Sequence, residues 1–251
     1  MLCLCLAQAR TPDIVLVAKA AGFDAIYVDL EHSVTPLDVT SVLCTTARGI
    51  GVVPFVRVPS LDPALITRVL DGGALGVIVP HVETPEQAKA VVDVCRFAPV
   101  GNRSLYGLTP STGYRQASPA QLSEDLDADV VVVTMIESAV AVERADEIAA
   151  VAGVDLLLVG THDLSRDLGV PGQVGHPDVR TSLRRVAKAC TAHGRRFGVA
   201  GVADPEQLRE LTQQGLGFVS AGSDVGLLAA AATARVAELR TLFGSDEDGS
   251  R

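Results

Sequence analysis

A chain of 251 residues, 48% of them hydrophobic, carries enough apolar material for one large core, and single α/β barrels commonly run to about 250 residues. The net charge of −9, with no basic block, disfavours a phosphate backbone and excludes nucleic acid as an expected partner. No apolar stretch reaches membrane-span length, and MLCLCLAQAR is too short and lacks the basic n-region of a signal peptide, so a cytoplasmic protein with no membrane partner is expected.

From there the chain alternates short apolar runs with amphipathic stretches. The first run, Leu2–Leu6, sets Cys3 and Cys5 on one face. With Cys44, Cys95 and Cys190 they make an odd count without metal-ligand spacing, which reads as reduced thiols. A helix is expected over 12–21, a strand over Ala25–Asp29 and a helix over 36–48. Next come strand Val52–Val56 with helix 62–71, and strand Gly76–Val79 with helix 84–96. Residues 98–127 break the rhythm and read as one long connection, a lid or an interface. The rhythm resumes with strand Val130–Ile136 and helix 138–151, then strand Asp155–Val159 and helix 176–193. Strand Phe197–Val199 with helix 204–214 and strand Phe218–Ala221 with helix 224–241 complete it. Thr35-Pro36, Asp62-Pro63, Thr84-Pro85 and Asp204-Pro205 each pair a capping residue with proline at a first helical position. The acidic tail GSDEDGSR, 244–251, is expected to be disordered beyond a single barrel domain over 1–243.

Eight near-continuous apolar strands, each followed by a helix, imply a parallel sheet covered on both faces. The count over this length favours a closed (β/α)₈ TIM barrel. An open doubly wound sheet is the rival, lowered by the lack of G-x-G-x-x-G after the first strand.

In such a barrel, chemistry collects where strands end. The second strand ends in Asp29-Leu30-Glu31-His32, the third in Arg57, the fourth in Pro80-His81 and the fifth in Glu137. The sixth ends in Gly160-Thr161-His162-Asp163, the seventh in Gly198–Gly201 and the eighth in Gly222-Ser223-Asp224. Glu137 and Asp163 are hard oxygen donors suited to Mg²⁺ or Mn²⁺, with water and substrate completing the shell. Either acid could instead cap the helix that follows it. Arg57 suits an oxyanion beside a metal, or a salt bridge at the rim. Asp29, three residues before His32, could orient one imidazole nitrogen and leave the other as a general base. His81 is a candidate for the pocket wall, and His162 adjoins the metal-ligand candidate without an assigned role. His176 and His193 read as helix entry and exit. Amides opening the 160–163 turn could hold a carboxylate or phosphate.

The stretches AGFDAIYVDLEHS, VRVPSLDPALITRVLDGGALGVIVPHVETPEQA, FAPVGNRS, MIES, GVDLLLVGTHDLS and GSDVGLL span nearly the whole chain. In order and spacing they resemble the HpcH/HpaI aldolase/citrate lyase family, specifically its class II pyruvate aldolases of the 4-hydroxy-2-oxoheptanedioate aldolase type. The resemblance implies a barrel of the phosphoenolpyruvate/pyruvate-domain type, assembled as a homohexamer (a trimer of dimers), with the last helix on a neighbouring subunit. It also implies Glu137 and Asp163 as ligands of Mg²⁺, Mn²⁺ or Co²⁺, Arg57 as the enolate stabiliser and His32, held by Asp29, as the acid/base group. The amides of Gly160, Thr161, His162 and Asp163 would receive the substrate carboxylate. Met135 stands where the family commonly has Gln, and Thr161 where it commonly has Pro. Arg103-Ser104 replaces the common Arg-Gly. Met135, Glu31, His81 and Ser223 are candidates for the remaining pocket.

The implied reaction makes or cleaves a 4-hydroxy-2-oxo acid through a pyruvate enolate, with an aldehyde as the other product. Alternatives are another fate for the enolate (decarboxylation, an unusual biosynthetic addition, or lyase work on a CoA thioester) and a catalytically silent barrel that binds a small acid.

Overall fold

The eight apolar runs pair side by side in chain order, each parallel to the next, and the last closes on the first. The computed structural model describes residues 1–243; the tail 244–251 expected to be disordered lies outside the described residues. The strands are β1 (Leu2–Leu6), β2 (Ala25–Asp29), β3 (Val53–Arg57), β4 (Gly76–Val79), β5 (Val131–Ile136), β6 (Leu156–Gly160), β7 (Arg196–Ala200) and β8 (Leu216–Ser223). The helices are α1 (Asp13–Ala20), α2 (Leu37–Gly49), α3 (Pro63–Asp71), α4 (Pro85–Cys95), α5 (Pro119–Asp129), α6 (Ala139–Glu143), α7 (Ala145–Ala150), α8 (Thr161–Asp167), α9 (Pro177–Ala192), α10 (Pro205–Thr212) and α11 (Asp224–Phe243). The expected (β/α)₈ barrel is the observed one.

Period-two alternation divides the core. Cys3, Cys5, Ala25, Tyr27, Phe55, Ile78, Val133, Met135, Leu156, Leu158 and Phe218 fill the barrel interior. Their neighbours, among them Leu4, Ile26, Val56, Val132 and Leu157, pack outward against the helices. The interior is packed to contact. A Cβ on Gly76 would fall 2.3 Å from the Phe55 ring, which itself stands edge-on to Phe218 with centroids 5.6 Å apart. Glycine at 76 is the space that Phe55 occupies.

Three of the four expected helix starts form as read. Asp62 accepts from the amides of Ala64 and Leu65, Asp204 from Glu206 and Gln207, and Thr84 closes a capping box with Gln87. The fourth is corrected: Pro36 occupies the capping position of α2, and the Thr35 hydroxyl turns to Ser33 at 2.9 Å.

The connection over 98–127 is also corrected, since it contains a 3₁₀ turn (Pro110–Thr112) and the helix α5. Only Leu122 and Leu126 of α5 are buried, one pair four apart, too thin a stripe to stand out as a period. Arg48, at the end of α2, donates to the Ser111 carbonyl at 3.0 Å, and Pro110 lies against Gly73 beyond α3. The segment therefore packs where helices return to the sheet, at the barrel end opposite the strand tips, and is no lid over them. The single helix expected over 138–151 is two, broken at Arg144. All five cysteines are free and buried, and burial pushes the Cys5 thiol up to about 11. Among the described residues no helix is long and apolar enough to cross a membrane.

Candidate active site

The alternation that fills the barrel also builds the site. Two residues beyond interior Tyr27, Phe55, Met135 and Leu158 stand Asp29, Arg57, Glu137 and Gly160, so each inherits the inward direction. Asp29 and Arg57 are direct register partners in β2 and β3. A polar layer thus rests on an apolar one, beside a cavity of about 570 Å³ at the strand tips.

Arg57 is held from two sides. Its Nε and Nη2 donate to the two carboxylate oxygens of Asp29 at 3.0 and 2.6 Å, and its Nη1 lies 3.1 Å from Glu31 Oε2. Tyr27 lies beneath it, with the guanidinium 5.7 Å from the ring centroid. Burial opposes the charge on Arg57, but the hydrogen bonds and charge of Asp29, with Glu31, push its pKa up and keep it cationic. The fork corrects the expectation that Asp29 orients the His32 ring. Only the backbone amide of His32 reaches Asp29, at 3.3 Å, because His32 is already out on the loop while Asp29 faces its strand partner. The His32 side chain is 63% exposed, lines the cavity and lies 3.8 Å from Glu31 Oε2.

The capping alternatives for the two acids do not hold. Ser138 caps α6, and Gly160 precedes α8, which leaves Asp163 inside the first turn of that helix with its carboxylate 2.8 Å from Arg166. Glu137 Oε2 instead accepts from the His81 amide at 3.1 Å, with His81 Nδ1 at 3.3 Å. A Cβ on Gly160 would fall 2.6 Å from Glu137 Oε1, so a glycine at that strand tip is what admits the carboxylate.

Glu137 is almost buried, and burial raises its pKa; contacts with His81 pull the other way, and the charges of Glu31 and Asp163 add to the rise. A desolvated carboxylate pressed by other acids is stabilised by a cation. The described residues form no cage of three or more His, Cys, Asp or Glu side chains. Two hard oxygen donors on an open cavity instead fit a divalent ion whose remaining positions go to water and substrate.

Of the residues singled out by sequence, His32, Arg57, Met135, Glu137, Gly160, Thr161, His162, Asp163 and Ser223 line the main cavity. Asp29 and Glu31 do not line it; they lie behind Arg57. His81 does not line it either and borders an adjoining space of about 140 Å³ with Glu83, Glu137, Ser138, Asp163 and Arg166. Asp224, read among the rim acids, serves the fold instead. It accepts from the amides of Ala7, Gln8 and Ala9 and so ties β8 to the turn after β1. Sequence reasoning missed Cys5, Tyr27 and Ser220 on the cavity floor, where the Tyr27 and Ser220 hydroxyls are 3.3 Å apart. The available signal was Tyr27 standing two residues before Asp29, on the same face.

Comparison with known proteins finds relatives over nearly the whole chain. Residues 3–231 match the model of the HpcH/HpaI aldolase/citrate lyase family. The chain is 43% identical over 222 residues to the 4-hydroxy-4-methyl-2-oxoglutarate aldolase of Hapsidospora irregularis, covering 87% of this chain and 82% of that one. It is 39% identical over 229 residues to the enzyme of the same name from Chaetomium globosum, covering 90% and 85%. Among solved structures, an HpcH/HpaI aldolase from Desulfitobacterium hafniense superposes with a TM-score of 0.90 at 30% identity, covering 99% of this chain and 95% of that one.

Proposed function

Because the chain belongs to the HpcH/HpaI aldolase/citrate lyase family, we propose that its strand-tip cavity makes and breaks carbon–carbon bonds through a pyruvate enolate, with Arg57, His32, Glu137 and Asp163 in the working roles. The chain is an aldolase of the pyruvate type, and its named relatives do not favour decarboxylation or CoA-thioester chemistry. One observation carries the assignment of roles: a partly buried, doubly held guanidinium, two carboxylates and an exposed imidazole border a single cavity.

Glu137 and Asp163 are the residues that would hold a divalent cation, Mg²⁺, Mn²⁺ or Co²⁺, which when bound supplies Lewis-acid polarisation of a 2-oxo acid. The guanidinium of Arg57 faces the C2 oxygen and stabilises the negative charge that grows there as the C3–C4 bond breaks. Asp29 and Glu31 fix that guanidinium, so little reorganisation accompanies the reaction. His32, the exposed imidazole on the wall, removes the proton from the C4 hydroxyl and returns one to C3 of the enolate. Amides of Gly160, Thr161, His162 and Asp163, at the opening of α8, receive the substrate carboxylate.

The relatives' names make 4-hydroxy-4-methyl-2-oxoglutarate the first substrate to test. Cleaving it between C3 and C4 yields a pyruvate enolate and a second pyruvate; a 4-hydroxy-2-oxo acid with hydrogen at C4 yields an aldehyde instead. Met135 and Thr161, on the cavity wall, are the positions at which acceptor preference is read.

Assembly is part of the same reading. No residue of the 20-residue helix α11 is buried, and Leu227, Leu228 and Val236 are exposed along it. A homohexamer, in which a neighbouring copy covers α11, accounts for that surface. Five buried reduced thiols suit a cytoplasmic location. Function is tested by following the pyruvate methyl signal in D₂O by NMR. Loss of the signal with added Mn²⁺ or Mg²⁺ supports enolate formation, and a stable signal under all metals overturns it.

A further inference from the structure

His81 is one of two non-glycine residues with a positive φ among the described residues, at 57°. Such a backbone persists only where its surroundings over-determine it. The surroundings here are specific. Pro80 precedes His81, and the next residue, Val82, returns to the sheet by donating to the Met135 carbonyl at 3.3 Å. The kink between them turns the His81 amide toward Glu137 Oε2, 3.1 Å away.

The ring adds to this hold. Nδ1 lies 3.3 Å from the same Oε2, and Nε2 lies 3.1 Å from Glu31 Oε1, at the far side of the imidazole. Glu31 is fixed in turn by Arg57. The ring is therefore braced at both ends, and both contacts to Glu137 fall on one oxygen. Oε1 is left on the Gly160 side, at the wall of the main cavity.

We propose that His81 is a positioning residue whose left-handed backbone and braced ring fix Oε2 of Glu137, so that the carboxylate presents Oε1 to a divalent cation. Partners of this kind orient a ligand and set its affinity without touching the ion. The proposal rests on the reading that Glu137 ligates the cation.

The test is a calorimetric titration of the chelated, full-length protein with Mn²⁺, comparing wild type with His81→Gly, His81→Asn and Glu137→Gln. Glycine adopts the kink freely and keeps the amide but removes the ring. His81→Gly is expected to weaken Mn²⁺ binding by roughly 10–100-fold, with an undiminished Tm. Asparagine tolerates the left-handed backbone and carries an N–H donor, so His81→Asn is expected to recover part of the loss. Wild-type affinity in His81→Gly, with binding lost in Glu137→Gln, overturns the proposal and leaves the metal reading standing. Unchanged binding in Glu137→Gln overturns both. An imidazole-nitrogen coupling in the Mn²⁺ electron-spin-echo spectrum of wild type that vanishes in His81→Gly makes His81 a ligand, and also overturns the proposal.

Discussion

The guanidinium of Arg57 forks onto both oxygens of Asp29, at 3.0 and 2.6 Å, from directly opposed positions of β3 and β2. A planar five-donor group fits this arrangement, and a lysine does not. Arg57→Lys is expected to keep the barrel and lower kcat by roughly 10²–10³, the usual loss on removing an oxyanion donor. Asp29→Asn should follow the same pattern through Arg57, and should also lower Tm, because it takes the charged partner from a partly buried guanidinium. Steady-state kinetics beside thermal melts check both. A wild-type kcat in Arg57→Lys would make the arginine a rim salt bridge and nothing more.

Metal removal is the next expectation. Two carboxylates on an open cavity imply that exhaustive chelation abolishes aldol cleavage and that Mg²⁺, Mn²⁺ or Co²⁺ restores it. Elemental analysis of the chelated sample, assayed in parallel, decides the point: full turnover without metal removes Glu137 and Asp163 from the mechanism.

His32 separates acid/base chemistry from metal binding. Its side chain is 63% exposed, so His32→Ala should leave Tm and Mn²⁺ affinity unchanged. Cleavage and pyruvate proton exchange should both slow by roughly 10²–10⁴, the contribution of a positioned base. Normal exchange in a metal-saturated variant would move the base elsewhere on the rim, with His162 and His81 the next imidazoles to replace.

Glu137 links pH to stability. Its pKa is raised in the folded chain, chiefly by burial, so ionisation disfavours the metal-free fold. That penalty is complete above the folded pKa, shrinks as pH falls through it, and is gone below the unfolded value of about 4.3. Glu137→Gln, which keeps an acceptor for the His81 amide, should therefore raise the Tm of the chelated protein at pH 8. The gain should disappear by about pH 4, near the unfolded glutamate value. Melts of both proteins across that range test the sign, and a constant difference at every pH contradicts it.

Gly160→Ala probes the strand tip itself. The added methyl would stand 2.6 Å from Glu137 Oε1 and 2.9 Å from its Cγ, so the side chain that His81 holds must be displaced. Tm is expected to fall, and Mn²⁺ affinity to fall by on the order of 10-fold or more, the scale on which ligand misorientation acts. Calorimetric titration beside a thermal melt reads the two effects separately.

The sequence by itself determined the barrel and most of the rim. Eight apolar runs with helices between them left one economical arrangement. The period of two made Asp29, Arg57, Glu137 and Gly160 face the axis, because a strand alternates its side chains whatever its neighbours are. α5 escaped notice because two buried leucines make too weak a period, and α6 and α7 read as one because a break at Arg144 leaves the apolar spacing intact. Pairing across strands is a different kind of fact. Whether Asp29 would serve His32, three residues away, or Arg57, twenty-eight away, depended on the register of β2 against β3, and that register favoured the arginine. Capping of α6 by Ser138 freed Glu137 for the cavity, and the kink at His81 turned an amide onto it. These choices were made in three dimensions, since a carboxylate takes the nearest well-aligned donors, and nearness across a barrel has no expression along the chain.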